Sequence, residues 1–247
     1  MARKRAEKGN AAPGVPHDGG PWLTRLRAAV RRWLRRGAFA VVSAILLLVA
    51  LFSAVNPPTT PYMWSESRRL GGVAQEWVDM ADVAPVMARA AVAAEDANFC
   101  LHWGLDISAI RAAMADGGRR GASTISQQTV KNVYLWQGRS WTRKSIEALV
   151  TPLVEAIWSK RRILEVYLNV AEFDDGVFGV EAAAAQYFGV GAAELTPVQA
   201  ARLAAILPDP KGRSAARPSE FVRRRATSIL DGAATIRRDG RADCFER

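Results

Sequence analysis

The chain has 247 residues, enough for one domain of moderate size plus additional segments. Its formal net charge is +10, but residues 1–36 hold ten Lys or Arg against two acids, whereas the rest carries 24 basic and 22 acidic groups. The basicity therefore belongs to the tail, and no nucleic-acid surface is required.

Residues 1–20 are polar and rich in Gly, Pro and charge, so they are expected to be disordered. A basic amphipathic lead-in, 21–36, completes a cytoplasmic tail of residues 1–36. Then comes "GAFAVVSAILLLVALFSAV", residues 37–55, without a charge. A helix of that length spans about 28 Å, close to the ~30 Å hydrocarbon core of a bilayer. Arg31, Arg32, Arg35 and Arg36 precede it, which by the positive-inside rule places the N-terminus in the cytoplasm and the following chain outside. A cleaved signal peptide is one alternative, although the run is long and no A-x-A pattern follows. A buried core helix is another, although the whole circumference is apolar.

Residues 56–68, "NPPTTPYMWSESR", are expected to form an extended linker, because three prolines oppose a regular helix. A domain of residues 69–236 and a tail of 237–247 follow. Strand-like alternation is scarce, and Ala, Leu, Arg and Glu dominate. The predicted helices are 83–96, 106–115, 123–134, 142–158, 160–170, 178–187, 196–206 and 218–236. Turn signals such as "DGGRRGAS", "WQGRS" and "PDPKG" separate them. The two cysteines, Cys100 and Cys244, show no metal-binding spacing, and two histidines are too few for a zinc site. Whether the cysteines pair stays open at this point.

Four segments could carry chemistry. In "ARAAVAAEDANF", residues 88–99, an alanine-rich helix ends in Glu95 and Asp96. Those carboxylates either end the helix in solvent or sit on an apolar surface that raises a pKa and makes a usable base. In "GASTISQQTVKN", residues 121–132, Ser123 or Thr124 can cap a helix, and Thr124 with Gln127 fits a capping box. Thr124, Gln127, Gln128 and Lys131 then form a polar stripe, suited equally to water or to sugar hydroxyls and phosphate oxygens. In "RSWTRKSIE", residues 139–147, Arg139, Arg143 and Lys144 crowd together. Arg143 and Glu147 could be only a surface pair, or with Lys131 the cations could grip a diphosphate. No Walker-type glycine loop is present, so a soluble nucleotide is not indicated. The fourth segment, "KRRILEVYLN", residues 160–169, reads as a core helix with a basic start.

In order and spacing, "AAEDANFCLHWGLD", "GASTISQQTVKN", "RKSIE" and "KRRILEVYLN" resemble the successive signatures of glycosyltransferase family 51, the peptidoglycan glycosyltransferases. The later segments "NVAEFDDGVFGVEAAAAQYFG" and "LTPVQAARLAAILPDP" are especially similar to the monofunctional biosynthetic peptidoglycan transglycosylases. The resemblance runs from about Pro57 to about Arg225. It implies a mostly α, lysozyme-like helical domain with a small membrane-associated jaw subdomain, preceded by one transmembrane helix. It implies lipid II and the growing glycan chain as substrates at the cytoplasmic (inner) membrane, and cell-wall synthesis or division proteins as compatible partners. By motif, Glu95 matches the catalytic base and Glu147 the second family glutamate. Ser123, Gln127, Lys131, Arg139 and Arg143 match positions that hold sugars and diphosphates, and Gln128, Asn132 and Lys144 fall in the same set. Asp96, Phe99 and His102 match residues shaping the site around Glu95.

No cofactor is required by the resemblance, although Mg2+ or Mn2+ could assist the diphosphate, and no dedicated metal-ligand cluster is visible. Gln199 stands where the family commonly has Glu, in a helix read as structural. Penicillin-binding motifs S-x-x-K, S-D-N and K-T-G are absent, so peptide cross-linking is not expected. Two rival readings follow from the fold: a hydrolytic muramidase, which would not need the cations, and a non-enzymatic scaffold.

Overall fold

A computed structural model of the chain describes residues 21–117, 121–138 and 140–246. The first element, α1 (Pro21–Phe52), is one uninterrupted helix. The basic lead-in and the apolar run, expected as separate segments, are thus parts of a single rod. Its stretch Thr24–Phe52 reaches a mean hydropathy of 2.0 over 18 residues, and only 6% of that window is buried. It is long and apolar enough to cross a membrane.

From Leu48 onward the chain makes its own compact unit. The segment expected as a linker instead carries helix α2 (Pro61–Leu70). Its prolines do not forbid it. Pro57 and Pro58 lie before the helix, and Pro61 occupies its first turn, where a missing N–H costs nothing. Thr60 caps it by accepting from the Met63 N–H, and Gly71 closes it in the left-handed region.

The remaining helices fall close to the predicted spans: α3 (Pro85–Glu95), α4 (Ile107–Ala115), α5 (Ile125–Tyr134), α6 (Trp141–Ile157), α7 (Lys160–Val170), α8 (Val180–Phe188), α9 (Pro197–Ile206) and α10 (Glu220–Arg238). Side-chain caps explain many of the starts. Asp106, Thr124, Ser140, Ser159, Thr196 and Ser219 each accept from a backbone N–H of the first turn. Gln199 closes a capping box with Thr196, the structural role expected for it.

Two features went unpredicted. A small sheet joins β1 (Ala74–Gln75), β2 (Glu172–Asp174) and β3 (Val177–Phe178) in the order β1-β3-β2, parallel then antiparallel. Gly179 follows β3 at φ +86°, and a Cβ there would lie 3.0 Å from the Asn169 carbonyl oxygen. The second is structure in the C-terminal segment 237–247, expected only as a tail. There α11 (Asp243–Glu246) buries Phe245, and Cys244 is disulfide-bonded to Cys100.

Two packing groups make the core. In one, α3, α9 and α10 pack against each other; in the other, α5 lies against α6 and α7. Helix α7 is deeply set, with Ile163, Leu164, Val166, Tyr167 and Leu168 all buried. Each such large apolar side chain contributes roughly 1.5–3 kcal/mol by leaving water. The cleft described next lies where the end of α3 meets the start of α5.

Candidate active site

Glu95 is the last residue of α3 and is half-buried. Its Oε2 accepts a 2.8 Å hydrogen bond from Gln128 Nε2 on α5. The Gln128 amide is oriented in turn by the buried Tyr167, whose hydroxyl donates to Gln128 Oε1 at 3.4 Å. Burial pushes the Glu95 carboxyl above its ordinary range, while the Gln128 bond and the charges of Arg225 and Lys131 oppose that push. Of the two readings of this helix end, the half-buried position and the Gln128 bond favour the one on an apolar surface.

Asp96, adjacent in sequence, does something different. One carboxylate oxygen lies 2.8 Å from His102 Nε2, and the other accepts the Ile125 N–H at 3.0 Å. Asp96 thereby ties the end of α3 to the first residue of α5, the two elements that carry Glu95 and Gln128. Phe99 is fully buried, with Lys160 Nζ 4.5 Å above its ring. Lys160 also donates to the His102 carbonyl and to Glu155 Oε1, both at 2.8 Å. Asp96, Phe99 and His102 thus fix the segment that directly follows Glu95.

The capping box on α5 forms as its T-x-x-Q pattern predicts. It divides the predicted polar stripe. Thr124 and Gln127 turn inward and serve the helix start, with Thr124 Oγ1 also donating to the Gly104 carbonyl at 2.6 Å. Gln128 and Lys131 face the cleft.

Glu95 lines a cavity of about 370 Å3 together with Ser123, Gln128, Pro208, Arg213, Phe221 and Arg225. An adjoining cavity of about 330 Å3 shares Gln128 and Pro208 and adds Lys131, Asn132, Tyr62, Tyr167, Glu172 and Lys211. Asn132 is buried and accepts from Gln137 Nε2 at 3.4 Å.

Arg143 and Glu147 are no exposed pair. Glu147 is 2% exposed, accepts from Arg143 Nη1 at 2.8 Å, and binds Lys144 through its other oxygen. Lys144 Nζ also donates to Ser123 Oγ at 3.1 Å, which brings this cluster to the rim of the Glu95 cavity. Burial pushes Lys131 below the ordinary lysine range; Glu147 and Glu95 oppose that, while Arg143 and Lys144 reinforce it. Lys131 is therefore the electrostatic link between the two glutamates. Arg139 lies outside the described residues.

Sequence reasoning missed Tyr62, Tyr167, Lys211, Arg213 and Arg225. Tyr167 and Arg225 sit on helices whose amphipathic patterns gave them no distinction from ordinary core or surface residues. Lys211 Nζ joins Glu66, Glu172 and Asp175 at 2.7, 3.3 and 2.9 Å, and Arg69 pairs with Glu66 and Asp175. This network fastens α2 and the loop after α9 over the cavity. Those three acids are the one group among the described residues with cation-ligand spacing. Lys211 already bonds to all three acids and Arg69 to two of them, so the oxygens of this donor set are occupied and do not fit a bound divalent ion.

Residues 65–234 match the family model described as Transglycosylase. The chain is 60% identical over 220 residues to the biosynthetic peptidoglycan transglycosylase of Jannaschia sp. (strain CCS1), covering 89% of this chain and 92% of that protein. It is 45% identical over 223 residues to the protein of the same name from Caulobacter vibrioides (strain ATCC 19089 / CIP 103742 / CB 15), covering 87% and 97%. The corresponding Salmonella typhi protein is 46% identical over 224 residues, covering 84% and 93%.

Proposed function

The chain belongs to the transglycosylase family and is a peptidoglycan glycosyltransferase, and from that premise we propose that it polymerises lipid II into glycan strands by inverting transfer. Glu95 takes the proton from the 4-hydroxyl of the acceptor N-acetylglucosamine. That oxygen bonds to C1 of the donor N-acetylmuramic residue as the bond from C1 to the diphosphate oxygen breaks. The electron pair leaves with undecaprenyl diphosphate. A sugar hydroxyl is weakly acidic, so a carboxylate raised by burial is the better base. The leaving group departs as an anion, so fixed cations rather than a strong acid assist it.

Lys131, Arg143 and Lys144 supply those cations. Glu147 acts on the reaction by holding Arg143 and Lys144 in place. Gln128, fixed by Tyr167, orients the base, while Asp96, Phe99 and His102 keep its loop in register. Ser123 and Asn132 line the cleft for sugar or phosphate oxygens, and Gln127 contributes through the start of α5. These 247 residues contain no S-x-x-K, S-D-N or K-T-G, which supports polymerisation without peptide cross-linking.

Helix α1 tethers the enzyme beside a lipid-anchored substrate and raises the frequency of encounter. Exposed Trp141, Leu149, Leu153 and Ile157 along α6 form an apolar face suited to the bilayer surface. Trp136 is also half-exposed, whereas Leu135 is buried. The Cys100–Cys244 disulfide and the arginines before the apolar run support a cytoplasmic N-terminus and an extracytoplasmic catalytic unit.

The observation that carries this reading is the pair of cavities that share Gln128 and Pro208, with the half-buried Glu95 lining one and Lys131 the other. Incubation of the full chain with lipid II tests it. The wild type should yield polymer, and Glu95→Gln should fold and yield at least about a hundredfold less, the size of a lost general base. A fully active Glu95→Gln variant rejects the assignment, and breakdown of preformed glycan in place of polymer favours the hydrolase.

A further inference from the structure

Arg225 lies on α10, far in sequence from the motifs that mark the site. Helix α10 runs close along α3: a Cβ on Gly232 would come within 3.2 Å of the Ala93 Cβ. Seven residues earlier, on the same face of α10, Arg225 Nη2 donates to the Ala94 carbonyl oxygen at 3.0 Å. That carbonyl belongs to the last turn of α3, where backbone acceptors lack an intrahelical partner. The guanidinium is thus bonded to the residue next to Glu95, and it lines the same cavity.

We propose, on the reading that Glu95 is the base, that Arg225 is its positioning residue: it pins the end of α3 through Ala94 and holds a fixed positive charge toward the carboxylate. Among the described residues, the groups around Glu95 are few. Gln128 and Lys131 face it from α5, Arg225 from α10, Tyr167 from α7 and Asp96 from its own strand of chain, with Arg213 in the cavity wall. Burial drives Glu95 toward its protonated form and Lys131 toward its neutral form. The charge of each opposes the effect of burial on the other. Arg225 adds a second positive charge from a different element, with its guanidinium fixed by the bond to the Ala94 carbonyl oxygen. Its removal should leave substrate affinity intact and reduce the fraction of ionised base.

The test is the pH–rate profile of lipid II polymerisation by the full chain, for wild type, Arg225→Gln, Arg225→Lys and Glu95→Gln, with thermal melts to confirm folding. Arg225→Gln keeps an N–H donor for Ala94 and loses the charge. Its acid limb should move up by about one pH unit, a loss of about tenfold on that limb. Activity should approach wild type at the alkaline end, with KM for lipid II within about twofold. Arg225→Lys keeps the charge and should leave the limb near its wild-type position. An unmoved limb in Arg225→Gln overturns the inference, as does a raised KM with an unmoved limb, which would mark a direct substrate contact. An inactive Glu95→Gln beside an unmoved limb rejects this inference alone; an active Glu95→Gln rejects the base assignment beneath it.

Discussion

Glu95 and Lys131 are both charged groups held where water is scarce, and burial pushes each toward neutrality. A carboxyl whose folded pKa lies above its unfolded one binds protons more readily in the native state. Its contribution to stability is present at acid pH and lost as pH rises through the raised folded value. Glu95→Gln abolishes that loss while leaving a side chain that can still meet Gln128. Its melting temperature should therefore match the wild type at acid pH, exceed it increasingly as pH rises toward the raised folded value, and keep a constant lead above that. Parallel melts of the two proteins from acid to alkaline pH give the answer, and an offset that is the same throughout would mean that Glu95 is well hydrated. The alanine run leading into Glu95 left a solvated helix end and a desolvated base both open, and only the resemblance carried by the ordered segments singled its carboxylate out. Arg225 and Tyr167 were not singled out, because their roles depend on which helices cross and not on local spacing.

At the scale of elements, α5 is fixed at its start by three bonds of different origin. Asp96 takes the Ile125 N–H, Thr124 takes the Gln127 N–H, and Gln127 returns a bond to the Thr124 N–H. Thr124 adds a fourth by donating to Gly104. Thr124→Ala should cost about 1 kcal/mol for the cap, with more from the lost Gly104 bond. Because Gln128 and Lys131 ride on that helix, polymerisation by Thr124→Ala should fall at temperatures where the variant is still folded. Melting and lipid II assays on one preparation separate the two effects; activity lost only in step with folding would make the cap purely structural. Caps of this kind are why most helix starts were legible: Ser, Thr, Asp and Pro mark them locally. The start of α2 carries the same marks, Thr60 and Pro61, yet three prolines in six residues read as extended chain. Strands of two or three residues have no period to detect, so the sheet was invisible.

Across the whole molecule, the Cys100–Cys244 bond closes a loop with a sequence separation of 144 residues. In the chain-entropy account a closure of this size stabilises by roughly 4–5 kcal/mol, by restricting the unfolded chain. It also holds Phe245 near Phe99, with ring centroids 6.3 Å apart, in the turn that follows Glu95. Arg161 and Arg89 reach the same corner, to the Phe245 carbonyl and the Glu246 carboxylate. Sequence alone could not join the cysteines, because their proximity depends on α10 returning the chain to the end of α3. Reduction should release α11 and loosen the loop that carries His102. For a domain of this size, about 2–5 kcal/mol corresponds to a fall of roughly 5–15 °C in melting temperature. Dithiothreitol should produce that fall in the wild type and none in a Cys100→Ser/Cys244→Ser variant, which should already melt low. If the two thiols titrate as free in protein isolated from the membrane, and reductant changes nothing, the bond does not form in the cell. The support it lends to an extracytoplasmic catalytic unit would then be withdrawn, leaving the arginines before the apolar run as the only guide to orientation.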